Sequence, residues 1–184
     1  MNVLLIVLVV LAIVVVIVVR LLHRNLPTET VGETRIPLPP AKVSKIEAFT
    51  VSLEIEKQPS LFLLLSDDGS INRMGTGTAN PTERDLFIGK TDPAIFKTAC
   101  SHLTKEMLLS LGQGYQALDP RGASCELTIT FKFKDGRSTG IVYRYGSESE
   151  GPPKDVTDFV IAVVRQTDSW YEEFRRNALR RKQG

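Results

Sequence analysis

The hydrophobic residues of this chain form an apolar run at the start, a sparse proline-containing stretch, and a longer segment with strand and helix periodicity. The first run, Val3 to Val19, is unbroken, and two leucines extend it past Arg20. At 1.5 Å per residue, residues 3–22 make a helix of about 30 Å, the hydrocarbon thickness of a bilayer. We therefore predict a transmembrane anchor over residues 1–24 that contacts the lipid bilayer through residues 3–22.

The flanks of the apolar run favour an uncleaved anchor over a signal peptide. A signal peptide has a basic stretch before its apolar run and a small-residue cleavage site after it. Here Met1 and Asn2 carry no side-chain charge, while Arg20 and Arg24 follow the run. Because Lys and Arg near a span mark its cytoplasmic side, we expect a single-pass protein of the cell membrane with its domain in the cytoplasm.

The second stretch, residues 25–45, contains four prolines and few apolar positions. Such a segment is extended and acts as a semi-rigid spacer, so we predict a tether there. The periodic segment that follows predicts one folded domain over residues 46–175, and residues 176–184 form a basic tail.

Within the domain, short apolar segments predict a first group of strands. Residues Phe49 to Ile55 alternate between apolar and polar side chains, as in a half-buried strand, and Leu61 to Leu65 is a continuous apolar run of strand length. Asp67-Asp68-Gly69 predicts a hairpin turn into the segment Ile71 to Met74. A short apolar segment, Leu86 to Ile88, comes before the first helix.

A second hairpin is predicted over residues 125–145, and the parity of its apolar residues selects the register. A two-residue turn would put the apolar residues of the two strands on opposite faces. A three-residue loop, Lys134 to Gly136, with glycine in the left-handed region, pairs Ile129 with Ile141 and brings all of them to one face. We predict the three-residue loop.

Two helices are predicted, each opened by a proline. Asp92-Pro93 supplies an N-cap and a first-turn proline, and apolar residues recur at helical spacing to Leu111, where glycines end the helix. The second runs from Pro153 to about Arg180 and is expected to bury Val156, Phe159, Val160, Val163, Trp170 and Phe174. The order of elements predicts an α+β fold: two ββα-like units in a two-layer domain, with an antiparallel sheet and both helices on one face.

Composition excludes several classes of protein. Charged residues make up 24% and apolar residues 42%, which argues against wholesale disorder. Five of the 23 basic residues lie in the last ten positions, which leaves 18 basic against 21 acidic residues in the rest of the chain. Nucleic-acid-binding domains are usually basic, so this mildly acidic charge balance argues against that function. The cysteines, Cys100 and Cys125, are expected to be buried thiols, and a disulfide between them stays open if the domain faces an oxidising compartment.

No motif predicts a catalytic, cofactor or metal site. Gly89-Lys90-Thr91 resembles the end of a phosphate loop, but the glycine required five residues earlier is Arg84. His102 is two residues from Cys100, about 200° around a helix, so the two side chains cannot share a ligand. We expect a strand end running into an N-cap in the first case and a solvent-facing histidine in the second.

The basic end of the chain is the one segment that suggests a partner, through Arg175, Arg176, Arg180, Arg181 and Lys182. Close to a membrane, each such charge contributes about 1 kcal/mol of attraction to anionic lipid. The alternative is a solvated helix end whose cations interact favourably with the helix dipole. The sequence leaves both interpretations open.

Several short features together resemble a family of bacterial domains of unknown function found mostly in exported proteins. They are Asp68-Gly69 after an apolar strand, Gly89 before a helix with Phe96 and Leu103, Tyr115, Tyr145-Gly146, Pro153, and Thr167 followed by Trp170. The likeness covers about residues 47–172, although the family's Cys-x-x-Cys-Pro-like opening is replaced here by Glu56-Lys57-Gln58-Pro59. The resemblance implies fold and boundaries, and it favours the exported side as the alternative location of the domain.

Two functions from different classes follow. The first is a membrane-tethered, non-enzymatic interaction or binding module, because the sequence predicts a folded domain but contains no recognisable catalytic motif. The alternative is an enzyme whose active site is built from ordinary polar residues. An enzyme should show a deep pocket with converging polar groups, whereas a binding module should show an exposed apolar or aromatic surface.

Overall fold

A computed structural model of the chain describes residues 43–80 and 84–183. The predicted anchor, residues 1–24, its bilayer contact over residues 3–22, and the tether up to residue 42 lie outside the described residues. Within the part of the chain that the structure describes, no helix is both long enough and apolar enough to cross a membrane.

The described residues form seven strands and three α-helices after a 3-10 turn at Val43–Lys45. The strands are β1 (Ile46–Ile55), β2 (Gln58–Ser66), β3 (Ser70–Met74), β4 (Phe87–Lys90), β5 (Gly114–Gln116), β6 (Ser124–Phe133) and β7 (Ser138–Gly146). The helices are α1 (Pro93–Cys100), α2 (Lys105–Leu109) and α3 (Lys154–Gln183). The α+β class is confirmed.

All seven strands belong to one sheet, in the order β4-β3-β2-β1-β6-β7-β5. Every neighbouring pair is antiparallel except β5 and β7, so the sheet is mixed and the predicted antiparallel sheet is wrong at this edge. The reason is topological. The loop after β5 reverses the direction of the chain, so β6 runs opposite to β5. Strand β7 lies between them and is antiparallel to β6, and it is therefore parallel to β5. The simple ββα repeat is also wrong, because four strands precede α1 and three more lie between α2 and α3.

The core lies between one face of the sheet and helices α1 and α3. The ring of Phe49 on β1 contacts Phe96 of α1, at 5.7 Å between centroids, and Phe159 of α3, at 5.5 Å. Since both helices contact the same side chain, they pack on the same face of the sheet. The sheet contributes fully buried apolar residues to this core at Val51, Leu63, Leu65, Ile71, Ile129, Phe131 and Ile141.

The predicted register of the second hairpin is confirmed. Ile129 pairs with Ile141, and the backbone amide of Phe133 donates to the carbonyl of Arg137, which closes a three-residue loop. Gly136 has a φ of 83° within this loop, a conformation that glycine adopts without steric cost. The parity of the apolar residues and one glycine therefore determine how β6 meets β7.

The single helix predicted from Pro93 to Leu111 is divided in two. Asp92 caps α1 as expected, with its side chain accepting from the amide of Ala94. Thr104, however, adopts an extended conformation, and its hydroxyl accepts from the amide of Met107, so it caps a new helix. A polar N-cap residue inside an apolar periodic pattern is the physical reason for the break.

Helix α3 continues to Gln183, so residues 176–183 of the predicted basic tail form the last turns of this helix. Of the residues predicted to be buried on this helix, Val156, Phe159 and Val163 are buried, whereas Val160, Trp170 and Phe174 are only half-buried. Tyr171 is buried, whereas the neighbouring Trp170 is only half-buried, with its indole nitrogen donating to the carbonyl of Lys90 at 2.9 Å. Successive helical residues are 100° apart, so a small rotation of α3 against the sheet decides which of the two rings enters the core.

Candidate ligand-binding site

A groove of about 480 Å³ lies beside β5, where the sheet edge, the end of β7 and the start of α3 meet. Its lining includes Tyr115, Tyr143, Tyr145, Leu118, Arg121 and Pro152. Leu118 is 84% exposed at the rim. A concave surface rich in aromatic side chains with a few polar groups is typical of ligand sites.

The strands place the tyrosines together. Tyr143 and Tyr145 are two residues apart on β7 and therefore project to the same face of the sheet. Tyr115 lies opposite Tyr143 in the neighbouring β5, and the two rings stack with centroids 5.1 Å apart and planes 10° from parallel. Tyr115 remains 40% exposed, so part of this aromatic surface is open to solvent.

Hydrogen bonds from backbone amides hold the loops at the rim of the groove in place. The amide of Glu148 donates to the carbonyl of Arg121, and the amide of Gly146 donates to the hydroxyl of Ser149. A β-carbon on Gly146 would lie 2.0 Å from the carbonyl oxygen of Arg121, so the close crossing of the loop over β7 requires glycine. The groove is consequently shaped by fixed backbone.

The hydroxyl groups of Tyr143 and Tyr145 stay neutral near pH 7, because the pKa of each is raised. Burial, with smaller contributions from Tyr115 and Asp155, raises the pKa of Tyr143 to about 12. Burial also raises the pKa of Tyr145, with a smaller contribution from Cys125. Neutral phenols offer a ligand hydrogen bonds and ring faces, and they are poor proton acceptors.

The charged residues that line the groove are two arginines, Arg121 and Arg144, and two acids, Asp119 and Glu150. Arg121 lies 3.8 Å from Asp119, and Arg144 lies 2.7 Å from Glu126. Because the two signs are present in equal number, the groove has no strong electrostatic preference. The arrangement is suited to holding a ligand through aromatic contacts and hydrogen bonds.

A second polar cluster is built around Arg73, which is fully buried on β3. Its guanidinium donates to the Thr167 hydroxyl at 2.8 Å and to the Asp168 carboxylate at 2.6 Å, and it lies 4.7 Å from the centroid of Tyr171. These contacts join β3 to α3. Because α3 residues surround the guanidinium and satisfy both of its terminal nitrogens, the cluster is a structural connection.

The predicted lipid-contacting residues are separate from the groove. Arg175 lies 3.4 Å from Glu172, and Arg176, Arg180 and Arg181 are exposed on the last turns of α3. Lys182 belongs to the same helix. About 33 Å of helix separates the groove, at the start of α3, from these residues.

The other residues considered from the sequence occupy ordinary positions. His102 is exposed as predicted, and Cys100 and Cys125 are buried free thiols, as predicted for reduced cysteines. Burial raises the pKa of Cys100 to about 11, with a smaller contribution from Asp67, so this thiol is a poor nucleophile. Within residues 43–80 and 84–183, no three His, Cys, Asp or Glu side chains are grouped to hold a metal ion.

From the sequence, Tyr115 and Tyr145 contributed to the resemblance to a domain family, and the tyrosines were not identified as a site. The available signal was the Tyr-x-Tyr spacing at the end of β7, next to loops rich in glycine and proline. Comparison of the chain with protein-family models, with curated proteins and with solved structures finds no match. The resemblance to bacterial domains of unknown function therefore stays a prediction.

Proposed function

We propose that this protein is a membrane-tethered, non-enzymatic binding module whose ligand site is the tyrosine groove. The observation that carries the proposal is the stacked pair Tyr115–Tyr143, which is partly exposed at the edge of an open groove. Aromatic side chains supply large contact areas at low cost in conformational entropy, and tyrosine adds a hydrogen bond at its polar end. A fixed backbone rim favours binding, because little order remains to be imposed by the ligand.

The enzyme alternative requires polar groups that converge on a reacting atom. The ionisable groups with the largest pKa shifts, Asp68, Cys100 and Tyr143, belong to a hairpin turn, to α1 and to β7. The pKa of the exposed Asp68 carboxyl is lowered chiefly by Lys90, 2.6 Å away, and by bonds from Ser70 that stabilise the turn. These groups favour structural roles over a shared catalytic site.

The proposal includes membrane attachment through residues 3–22 and a cytoplasmic domain. Its support is the uninterrupted apolar run and the basic residues that follow it. In this orientation, the exposed Arg176, Arg180 and Arg181 would lie on the side where anionic lipid accumulates. The exported side is the alternative location.

Site-specific crosslinking tests the binding site. A photoreactive amino acid in place of Leu118, in the full-length protein in cells, should give a discrete adduct that is lost when Tyr115→Ala is added. The matched control replaces Leu109, which is 56% exposed on α2. Identical adducts from both positions, or an adduct at 118 that persists in Tyr115→Ala, would contradict a groove-specific ligand.

The location of the domain is tested with two reporters fused after Gly184, one active only in the cytoplasm and one active only on the exported side. The cytoplasmic reporter alone should be active, and the protein should stay in the membrane pellet after high-salt and alkaline washing. Activity of the exported-side reporter alone would overturn the orientation and remove the main support for lipid contact by the basic residues.

A further inference from the structure

The two edge strands of the sheet are protected to different degrees. At the β4 edge, Trp170 of α3 donates its indole N–H to the carbonyl of Lys90, and the strand itself carries that lysine. Capping contacts and lysines are common ways in which proteins prevent an edge strand from pairing with another chain. At the opposite edge, β5 has the sequence Gly-Tyr-Gln, with neither charge nor proline, and all three residues are exposed.

The free side of β5 presents unpaired backbone groups. Val142 donates its amide to the carbonyl of Gln113, and the amide of Ala117 donates to Arg144, so alternate residues of this segment face β7. Tyr115 lies two residues from both Gln113 and Ala117, so its backbone groups also face β7. Because donors and acceptors alternate in direction along a strand, the N–H and C=O groups of Gly114 and Gln116 point away from the sheet.

We propose that β5 accepts an extended segment of another protein as an eighth strand, with one side chain of that segment entering the tyrosine groove. This inference rests on the proposed function and names its ligand class. Residues side by side on adjacent strands project to the same face, so the side chain next to Tyr115 points toward the groove. Backbone pairing supplies affinity, and the groove selects an aromatic or apolar side chain.

A foreign segment fits this edge better than a second copy of the chain. In a pair of β5 strands, the side chain offered to each groove would come from the Gly-Tyr-Gln sequence of the other copy. The aromatic residue of that sequence, Tyr115, is already stacked on Tyr143 of its own chain and is therefore not free to enter a second groove. The groove is lined by equal numbers of basic and acidic residues, which also favours an uncharged segment.

The test uses the full-length protein in lipid nanodiscs, panned against a phage-displayed library of random heptapeptides. The tightest selected peptide is then resynthesised with N-methyl groups on either its odd or its even residues. Strand pairing uses the N–H groups of alternate residues, so one series should lose binding by tenfold or more while the other keeps it. Equal tolerance of methylation in both series would overturn strand addition.

A backbone substitution in the protein gives an independent measurement. Gln116→Pro removes the outward N–H and should weaken the peptide about five- to tenfold, the effect of one net hydrogen bond. Gln116→Ala is the matched comparison, because it removes the side chain and keeps the N–H, and the loss of affinity in Gln116→Pro should exceed the loss in Gln116→Ala at least fivefold. Proline is tolerated on edge strands, and near-UV circular dichroism verifies the fold.

The remaining outcomes separate this inference from the proposed function. If binding of the peptide were lost in Tyr115→Ala but unaffected by Gln116→Pro, strand addition would be overturned and the groove would remain the binding site. Failure to select any peptide would overturn a peptide ligand, while the crosslink at position 118 would still report on the groove. A dimer that dissociates in Gln116→Pro would show that a second copy occupies the edge and would overturn the foreign segment.

Discussion

The guanidinium of Arg73 on β3 and the carboxylate of Asp168 on α3 form an ion pair of 2.6 Å in which the Arg73 side chain is fully buried and the Asp168 side chain is 50% exposed. A charge buried to this extent is tolerated only when it is paired and hydrogen-bonded. The pair therefore fixes how α3 sits on the sheet edge that carries β3 and β4.

Removing the charge of Asp168 should destabilise the domain. We expect Asp168→Asn to lower the free energy of unfolding by about 2 kcal/mol, less than a fully buried pair because Asp168 is half exposed. Asp158→Asn is the matched control, since its partner Lys154 is 87% exposed, and it should cost under about 0.5 kcal/mol. Urea denaturation measures both variants, and equal effects would contradict the structural role of Arg73.

Gly89 on β4 should not tolerate a methyl group. A β-carbon at this position would lie 3.0 Å from the Trp170 ring and 3.1 Å from the Phe174 ring, which stack on each other at 4.3 Å. The hydrogen bond from the Trp170 indole N–H to the carbonyl of Lys90 leaves these rings little freedom to move. We expect Gly89→Ala to cost about 1–3 kcal/mol and to shift the Trp170 fluorescence maximum.

Gly114→Ala is the control for that substitution, because a β-carbon there meets no atom within 4 Å. Its effect on the free energy of unfolding should be small. If Gly89→Ala were as stable as Gly114→Ala in the same denaturation experiment, the close packing of α3 on β4 would be wrong.

The turn between β1 and β2 offers a stabilising substitution. Glu56 and Lys57 have φ of 52° and 60°, a region that side chains other than glycine occupy at a cost. Glycine is preferred in such two-residue hairpin turns. Lys57→Gly should raise the melting temperature, whereas Gln58→Gly, inside the next strand, should lower it. A lower melting temperature in Lys57→Gly would contradict the turn conformation.

Stability at high pH should depend on Tyr143. Its pKa is about 12 in the folded protein, above the ordinary value near 10, so the unfolded chain loses this proton first as pH rises. The contribution of Tyr143 to the free energy of unfolding is constant below pH 10 and declines between pH 10 and about 12. Urea titrations at several pH values should give a shallower decline for Tyr143→Phe. Identical slopes would show that Tyr143 is not buried.

The register of the second hairpin gives the most severe test of the fold. Ile129 is fully buried, so Ile129→Asp should place an unpaired carboxylate in the core and prevent folding. Thr128→Asp, one residue away on the opposite face, should retain native near-UV circular dichroism. A native spectrum from Ile129→Asp would contradict the register.

Features that depend on residues close together in the chain could be predicted from the amino-acid sequence. The alternation in β1, the cap at Asp92 and the loop ending at Gly136 each follow from a few neighbouring side chains and their allowed backbone angles. The register of β6 with β7 followed as well, because only one loop length brings both apolar sets to one face.

Features that depend on residues distant in sequence required the folded structure. In the sequence, Arg73 is a polar residue within a short strand segment. Its charge is buried only because α3, more than 90 residues later, packs against it. The parallel edge strand β5 and the choice of Tyr171 over Trp170 for the core likewise follow from how loops and helices meet the sheet. The tyrosine groove belongs with them, because its walls come from separate segments that no local periodicity brings together.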